Sequence, residues 1–218
     1  MKSRALTKTY GKRRVLTMPA YTFEPGKIYA VIGANGSGKS TFAKILAGLI
    51  KADGKTQPFE EKPEGVGYLP QHAYAFRMSV GSNIRLSGDD NERAAMLMEA
   101  LQIAHLEKER ADRLSGGEKA RLAMARIMMK PFDMLILDEP TTSMDMEATI
   151  LAEDLMRKYK DETGACIFLI THSLSQARRM ADKVLFLDHG ELIEEGEGGQ
   201  VLNHPGNALT AKFIEMYG

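Results

Sequence analysis

The sequence feature that most constrains the fold is a glycine-rich segment between an apolar run and a helical pattern. Residues 27–32 are almost continuously apolar, which predicts a short buried strand. The segment GANGSGKS follows at 33–40 and matches the P-loop pattern, and apolar residues recur at helical spacing from Ser40 onward. A strand, a glycine-rich turn and a helix in this order indicate an α/β protein that binds a phosphorylated ligand.

Each residue type in this loop has a chemical reason to be there. Glycines let the backbone pass close to a phosphate and turn its N–H groups inward. Lys39 would bring a positive charge to the β- and γ-phosphates, and the Ser40 hydroxyl is a ligand for Mg²⁺. A glycine-rich turn with a solvated lysine is the alternative, and the flanking strand and helix disfavour it. The predicted nucleotide-binding residues are Gly33, Asn35, Gly36, Ser37, Gly38, Lys39, Ser40 and Thr41.

Two adjacent acids follow a second apolar run. Residues 134–137 predict a buried strand, and Asp138 and Glu139 come directly after it. The carboxyl ends of parallel strands face the ligand crevice, so Asp138 is expected to hold Mg²⁺. Glu139 would then polarise the water that attacks the γ-phosphate. Two solvated acids at the start of a loop would give the same pattern, and the P-loop is what favours the catalytic interpretation.

The rest of the chain predicts one α/β domain with an insertion. Its 218 residues suit a single compact domain. Residues 1–71 and 115–218 are assigned to the α/β core, which begins with an alternating, hairpin-like pattern. Residues 72–114 contain helical patterns with few β-branched residues and are assigned to a helical insertion. Helices that alternate with short apolar strands predict a mainly parallel sheet covered on both faces.

Charge and composition argue against several functional classes. Lys plus Arg and Asp plus Glu both total 29, so nothing supports a nucleic acid or anionic membrane held by bulk electrostatics. No apolar segment approaches the roughly 20 residues that span a bilayer, so any membrane role is expected to come through a partner. Cys166 is the single cysteine and lies in an apolar run, which predicts a buried, inert thiol.

The segment LSGGE at 114–118 resembles the signature motif of the ATP-binding cassette (ABC) ATPases. A serine hydroxyl and two glycine amides at a helix start suit a γ-phosphate, although a simple helix N-cap would also explain Ser115. The helical insertion separates this segment from the chain's own P-loop, and in the family it completes the ATP site of a partner subunit. The resemblance therefore implies a head-to-tail dimer with ATP and Mg²⁺ in its interface. The residues it assigns to the partner's ATP are Ser115, Gly116, Gly117 and Glu118.

Further landmarks of the family follow in order, so the resemblance covers essentially the whole chain. Gln71 resembles the Q-loop glutamine that senses Mg²⁺ and the attacking water, and Asp145 resembles the D-loop aspartate. His172 resembles the switch histidine that contacts the γ-phosphate, although a histidine at a strand end is more often structural. Tyr10 matches the aromatic residue that stacks on adenine, although a hairpin tyrosine usually only packs. The implied catalytic group is Lys39, Gln71, Glu139 and His172, and the implied metal ligands are Ser40, Gln71 and Asp138.

The implied fold is an α/β P-loop NTPase of ABC type, with a mainly parallel central sheet, an N-terminal antiparallel β subdomain and an inserted helical subdomain. Residues 70–84 resemble bacterial importers of phosphate, tungstate and similar solutes. This implies an ATPase subunit on the cytoplasmic side of the cell membrane that drives import of a small solute such as an oxyanion.

The partners implied by an importer are a second ATPase subunit, integral membrane permease subunits and an extracytoplasmic solute-binding protein, with no nucleic acid. Two alternatives stay open: the ATPase of an exporter, and a non-transport ABC ATPase that acts on nucleic acid. Members of the second class usually separate P-loop and signature by much longer insertions. A binding module that has lost hydrolysis is disfavoured because Lys39, Glu139 and His172 are all present.

Overall fold

The computed structural model describes residues 1–72 and 74–217, which form an α/β protein. Its strands are β1 (Lys2–Ser3), β2 (Leu6–Tyr10), β3 (Arg13–Met18), β4 (Tyr21–Thr22), β5 (Ile28–Ile32), β6 (Val66–Leu69), β7 (Met134–Asp138), β8 (Cys166–Ile170), β9 (Lys183–Asp188) and β10 (Glu191–Glu197). Its helices are α1 (Lys39–Leu46), α2 (Val80–Arg85), α3 (Asn91–Ala100), α4 (Gly116–Ile127), α5 (Met146–Thr163), α6 (Leu174–Met180), α7 (Gly198–Asn203) and α8 (Ala208–Tyr217). None of these helices is long and apolar enough to cross a membrane.

An eight-stranded sheet in the order β2-β3-β10-β9-β5-β8-β7-β6 forms the centre of the molecule. The five strands from β9 to β6 run parallel to one another. Every residue of β5, β7 and β8 is buried, which explains why these strands appear in the sequence as unbroken apolar runs. The prediction of a mainly parallel sheet is confirmed. Cys166 lies in this core as predicted, and burial raises the pKa of its thiol to about 12.

The N-terminal strands form the antiparallel part of the fold. β2 and β3 pair as a hairpin, and β3 joins the main sheet through one parallel pair, Thr17 with Glu191 of β10. β1 and β4 form a separate two-stranded antiparallel sheet. The sequence analysis did not predict β10, whose residues are glutamate-rich and only partly buried, so they give no clear apolar alternation. It also did not predict α7 and α8.

The segment 72–114 carries α2 and α3 and two short 3-10 turns, and no strand among its described residues. Helix α2 packs against α4, and buried residues of α2 and α3 such as Ile84 and Leu97 belong to the same core cluster as Leu135 and Leu137 of the sheet. The helical segment therefore shares a core with the sheet, and its side chains connect the sheet to the helix that follows the LSGG segment.

Three helices have N-cap residues that the sequence analysis linked to function or that directly follow such a residue. The Ser115 hydroxyl accepts a hydrogen bond from the Glu118 N–H at 3.3 Å at the start of α4. A carboxylate oxygen of Asp145 accepts from the Ala148 N–H at 2.8 Å at the start of α5. The residue after His172 also acts as an N-cap, because the hydroxyl of Ser173 caps α6. Such caps contribute about 1 kcal/mol each, so they fix where these helices begin.

Candidate functional site

An open cleft of about 510 Å³ lies over the P-loop, a size in the usual range for small-molecule sites. Its lining is Tyr10, Arg13, Val15, Asn35, Gly36, Ser37, Gly38, Lys39, Ser40, Thr41, Gln71 and Glu139. The structure thus brings the P-loop, the hairpin tyrosine, the Q-loop glutamine and the strand-end glutamate to one place. Arg13 was not predicted; it pairs with Tyr10 across the hairpin, which only the strand register reveals. A larger surface depression of about 630 Å³ contains none of the predicted site residues.

The shape of the P-loop depends on glycine at two positions. Gly33 has φ 145°, and a Cβ there would overlap the carbonyl oxygen of Leu187. Gly38 has φ 102°, and a Cβ there would lie 3.1 Å from the carbonyl oxygen of Val15. Both values lie in the region that side chains rarely adopt. The loop therefore keeps its close approach to its neighbours only with these glycines.

A turn between β9 and β10 fastens the P-loop to the hairpin. The Gly190 N–H donates to the Ser37 carbonyl at 3.0 Å, and the Thr17 N–H donates to the Gly190 carbonyl at 2.7 Å. Gly190 has φ 85°, and a Cβ there would lie 2.5 Å from the carbonyl oxygen of Val15. These two hydrogen bonds hold the P-loop at a fixed distance from β3, the strand that pairs with the strand of Tyr10.

Gly190→Ala is expected to destabilise the protein by about 1–3 kcal/mol, because alanine adds both backbone strain and a clash. This corresponds to a Tm lower by several degrees for a chain of this size. The variant should also bind nucleotide more weakly, since the P-loop loses its anchor. Thermal unfolding and calorimetry measure the two effects.

Gly199→Ala is the matched control, because a Cβ at Gly199 meets nothing within 4 Å and the residue lies in helix α7. It should leave nucleotide affinity and Tm unchanged or raise Tm slightly. If Gly190→Ala behaved like this control, the turn would not anchor the P-loop.

Two side chains of the P-loop suit a phosphate ligand. The buried Lys39 ammonium donates to the carbonyls of Gly33 at 2.7 Å and Ala34 at 2.9 Å. Burial lowers the pKa of Lys39, while Glu139 and Asp138 act against that shift. Within the described residues the Ser37 hydroxyl is buried without a hydrogen-bond partner. Buried polar groups are nearly always paired, so this hydroxyl and the lysine are groups that a phosphate oxygen would satisfy.

Two of the three residues predicted to bind Mg²⁺, Ser40 and Asp138, contact each other, whereas the third, Gln71, contacts Glu139. The Ser40 hydroxyl donates to one carboxylate oxygen of Asp138 at 3.2 Å, and the Tyr68 hydroxyl donates to the other at 3.0 Å. Burial, with the adjacent carboxylate, raises the pKa of Tyr68, so this donor stays protonated. Tyr68 was not predicted; its position follows from the pairing of Tyr68 with Ile136 in parallel strands.

This donor set fits Mg²⁺, which prefers oxygen ligands and keeps several of its positions for water and substrate phosphate. No group of three or more His, Cys, Asp or Glu side chains in residues 1–72 and 74–217 could hold a metal by itself. Asp138 and Ser40 therefore offer a carboxylate and a hydroxyl, and water and phosphate oxygens would supply the remaining ligands.

Glu139 is the centre of a polar cluster at the edge of the cleft. Its Oε2 accepts hydrogen bonds from Gln71 Nε2 at 2.9 Å and from the Thr142 hydroxyl at 3.2 Å, and His172 Nδ1 lies 3.1 Å away. The Glu139 side chain is 12% exposed, while that of His172 is 58% exposed. Glu139 has φ 51°, an unusual value for a non-glycine residue that is often found at functional sites. The structure thus unites three of the four predicted catalytic residues, and Lys39 lines the same cleft.

The signature segment is well ordered by local contacts and lies outside the lining of this cleft. The hydroxyl and the N–H of Ser115 each donate to Glu118 Oε2 at 2.7 Å, and the N–H completes a capping box. The hydrogen bond from the hydroxyl, followed by that from the N–H, lowers the pKa of Glu118. Gly117 lies against the D-loop, residues 143–145, since a Cβ there would be 2.8 Å from the carbonyl oxygen of Ser143. Gly116 and Asp145 are also outside the cleft lining. None of these five predicted nucleotide contacts lines the cleft over the chain's own P-loop.

A family model described as "ABC transporter" matches residues 16–142, more than half of the chain. The chain belongs to the ABC transporter family. It is an ATP-binding subunit of an ABC transporter and an ATP hydrolase of that family. The prediction from the sequence, that the chain is an ABC-type ATPase of a transporter, is confirmed.

Two relatives align along most of the chain. The tungstate uptake system ATP-binding protein TupC of Peptoclostridium acidaminophilum is 36% identical over 202 residues, 87% of this chain and 94% of that protein. The arginine transport ATP-binding protein ArtM of Bacillus subtilis (strain 168) is 30% identical and covers 99% of this chain and 98% of its own length. The structure of cbiO1 from Clostridium perfringens, part of the ABC transporter complex cbiONQ, is similar with a TM-score of 0.79 and 25% identity, over 93% and 90% of the two chains.

Proposed function

We propose that this chain is the ATPase subunit of an importer of a small solute such as an oxyanion, and that two copies enclose two MgATP. The observation that carries the catalytic part is the cluster of Gln71, Glu139 and His172 at the mouth of the P-loop cleft. A glutamate at this position has the chemistry of a general base, and it lies beside groups suited to phosphate.

The phosphates of ATP would lie against the P-loop N–H groups and the ammonium of Lys39, with the adenine against the exposed ring of Tyr10. Ser40 and Asp138 would hold Mg²⁺, with Gln71 near it; the ion neutralises charge on the phosphate oxygens when it is bound.

Glu139 would accept a hydrogen bond from the attacking water. The bond from this water to the γ-phosphorus forms as the bond to the β-phosphate oxygen breaks, and the proton of the water passes to Glu139, which gives ADP and phosphate. Gln71 donates a hydrogen bond to the Glu139 carboxylate, and His172, beside the same oxygen, would contact the γ-phosphate.

The dimer is supported by the placement of the signature segment. Ser115 and Gly117 carry a hydroxyl and a backbone amide at the start of α4, a suitable anion site, yet they lie outside the cleft of their own chain. A head-to-tail arrangement would place these groups at the γ-phosphate of a second copy. ATP would then be part of the interface, and its hydrolysis would weaken the dimer.

The solute class is supported by the tungstate uptake relative, which is 36% identical to this chain. Reconstitution of the chain with its permease and solute-binding protein tests the proposal. Accumulation of tungstate or molybdate inside proteoliposomes that enclose ATP, with the solute-binding protein outside, would support oxyanion import. Uptake of arginine instead would retain import and reject the oxyanion, whereas export from preloaded vesicles would reject import.

A short loop after Gln71 is a suitable docking surface for a permease on the cytoplasmic side of the membrane. Tyr74 and Phe76 are exposed, and their rings pack edge to face at 4.9 Å. Arg126 of α4 donates to the Tyr74 carbonyl at 2.7 Å and lies 5.1 Å from the centre of the Phe76 ring. Asn83 accepts a hydrogen bond from the Phe76 N–H at 2.9 Å. Tyr74 and Phe76 thus present an apolar surface that contacts the signature helix α4.

Phe76→Glu is expected to reduce copurification with the permease at least tenfold, because a charge would be buried in an apolar contact. The ATPase rate of the isolated subunit should stay within about twofold of the wild type, since Phe76 does not line the cleft. Leu209→Glu is the matched control: it introduces the same charge at an exposed apolar residue of α8 and should leave assembly intact. Full copurification of Phe76→Glu would exclude this loop as the docking surface.

A further inference from the structure

Gln176 is a buried polar residue that the catalytic scheme does not use. It lies in α6, is only 1% exposed, and its side-chain amide contacts two other segments. Nε2 donates to the Thr141 hydroxyl at 3.0 Å and to Glu153 Oε1 at 3.2 Å. One side chain therefore joins α6, the loop after Glu139 and helix α5.

The orientation of this amide is fixed by a buried carboxylate. Glu153 is 1% exposed, and Arg179 binds it with two hydrogen bonds, from Nε to Oε2 at 2.8 Å and from Nη2 to Oε1 at 2.6 Å. An ionised carboxylate only accepts hydrogen bonds, so Gln176 must present its NH₂ group to Glu153. One N–H of Gln176 points to Glu153, and the other is then directed at Thr141.

The two ends of this hydrogen-bonded bridge lie close in sequence to Glu139 and His172, the residues proposed to act in hydrolysis. Thr141 is two residues beyond Glu139, and its carbonyl accepts a hydrogen bond from the Met144 N–H in the D-loop at 2.9 Å. The other end is α6, which begins immediately after the sequence His172-Ser173, and the Ser173 hydroxyl accepts from the Gln176 N–H at 3.2 Å.

His172 itself has little packing to hold it, because its side chain is 58% exposed. Its position relative to Glu139 depends on the start of α6. We propose that Gln176 is a positioning residue for ATP hydrolysis, which keeps His172 at its distance from Glu139 by tying α6 to Thr141. The inference rests on the proposed roles of Glu139 and His172.

Gln176→Met removes the amide at nearly constant volume, and Thr141→Val removes the hydroxyl at constant shape. Each is expected to lower kcat about tenfold and to leave the KM for ATP within twofold, because neither residue lines the cleft. Thr141→Ser keeps the hydroxyl and should retain most of the wild-type kcat. Thermal unfolding of each variant checks that it is folded at the temperature of the kinetic assay. Wild-type kcat in both Gln176→Met and Thr141→Val would overturn the proposal.

A double-mutant cycle with His172→Ala separates positioning from general stabilisation. If Gln176 acts through His172, adding Gln176→Met to His172→Ala should cause no further loss of kcat. A further tenfold loss in that background would overturn the inference while leaving the catalytic role of His172 intact. Wild-type kcat in His172→Ala alone would reject the proposed role of His172, and the inference with it.

Discussion

Lys39→Ala is expected to abolish measurable ATP binding in a protein that remains folded. The Lys39 ammonium is buried against the P-loop carbonyls of Gly33 and Ala34, and it is the one lysine in the lining of the cleft. Its removal takes away the positive charge that would lie beside the phosphates, so we expect the Kd for ATP to rise at least 100-fold, or about 2.7 kcal/mol. Titration calorimetry with MgATP measures this change.

Lys44→Ala is the matched control for this variant, because Lys44 is an exposed lysine in the last turn of the same helix α1. It should bind ATP as the wild type does. Wild-type affinity in a folded Lys39→Ala protein would contradict the assignment of the cleft to ATP.

Glu139→Gln is expected to lower the rate of phosphate release about 10³-fold and to leave ATP binding intact. The amide keeps the size of the side chain and an oxygen that can accept from Gln71 and Thr142, but it loses the charge that polarises water. A continuous phosphate-release assay measures the rate, and calorimetry measures the affinity.

Glu147→Gln makes the same change at an exposed residue in the first turn of α5, so it should hydrolyse ATP at the wild-type rate. Hydrolysis by Glu139→Gln within tenfold of that rate would show that another group acts as the base.

The parts of the site that the sequence predicted are those that a local pattern encodes. The P-loop needs glycines at fixed positions between a strand and a helix. Asp138 is the last residue of a strand that is buried along its whole length, and Glu139 follows it directly. These features require neighbours in sequence only. Their meeting at one sheet edge follows from parallel strands, so the cleft could be expected before the structure was known.

The features that were missed depend on strand register and on contacts between distant segments. Tyr68 reaches Asp138 because β6 and β7 pair in one register, and Gly190 reaches Ser37 because a turn crosses the P-loop. Gln176 is a further example, since nothing local to α6 marks it as a partner of Thr141. Strand β10 was missed for a different reason: its glutamate-rich sequence has no apolar alternation, and pairing with β9 and β3 holds it in the sheet.

The proposed role of the signature segment depends on a second copy of the chain. The sequence predicted that Ser115, Gly116 and Gly117 serve a second subunit. Gly116 and Gly117 lie beside Ser143 of their own chain, and none of the three residues lines the cleft. Contact with the ATP of a second copy is the function that we propose for them. The central claim is that ATP completes the interface between two such copies.

The most direct test is the mass of Glu139→Gln in solution, measured by size-exclusion chromatography with light scattering. This variant should retain ATP and elute with MgATP at twice the 24.1 kDa mass of the chain, and as a monomer without nucleotide. Adding Ser115→Arg should return it to the monomer in MgATP, because the larger side chain would block the γ-phosphate site of the partner. A Glu139→Gln protein that binds ATP yet stays monomeric at high concentration would contradict the claim.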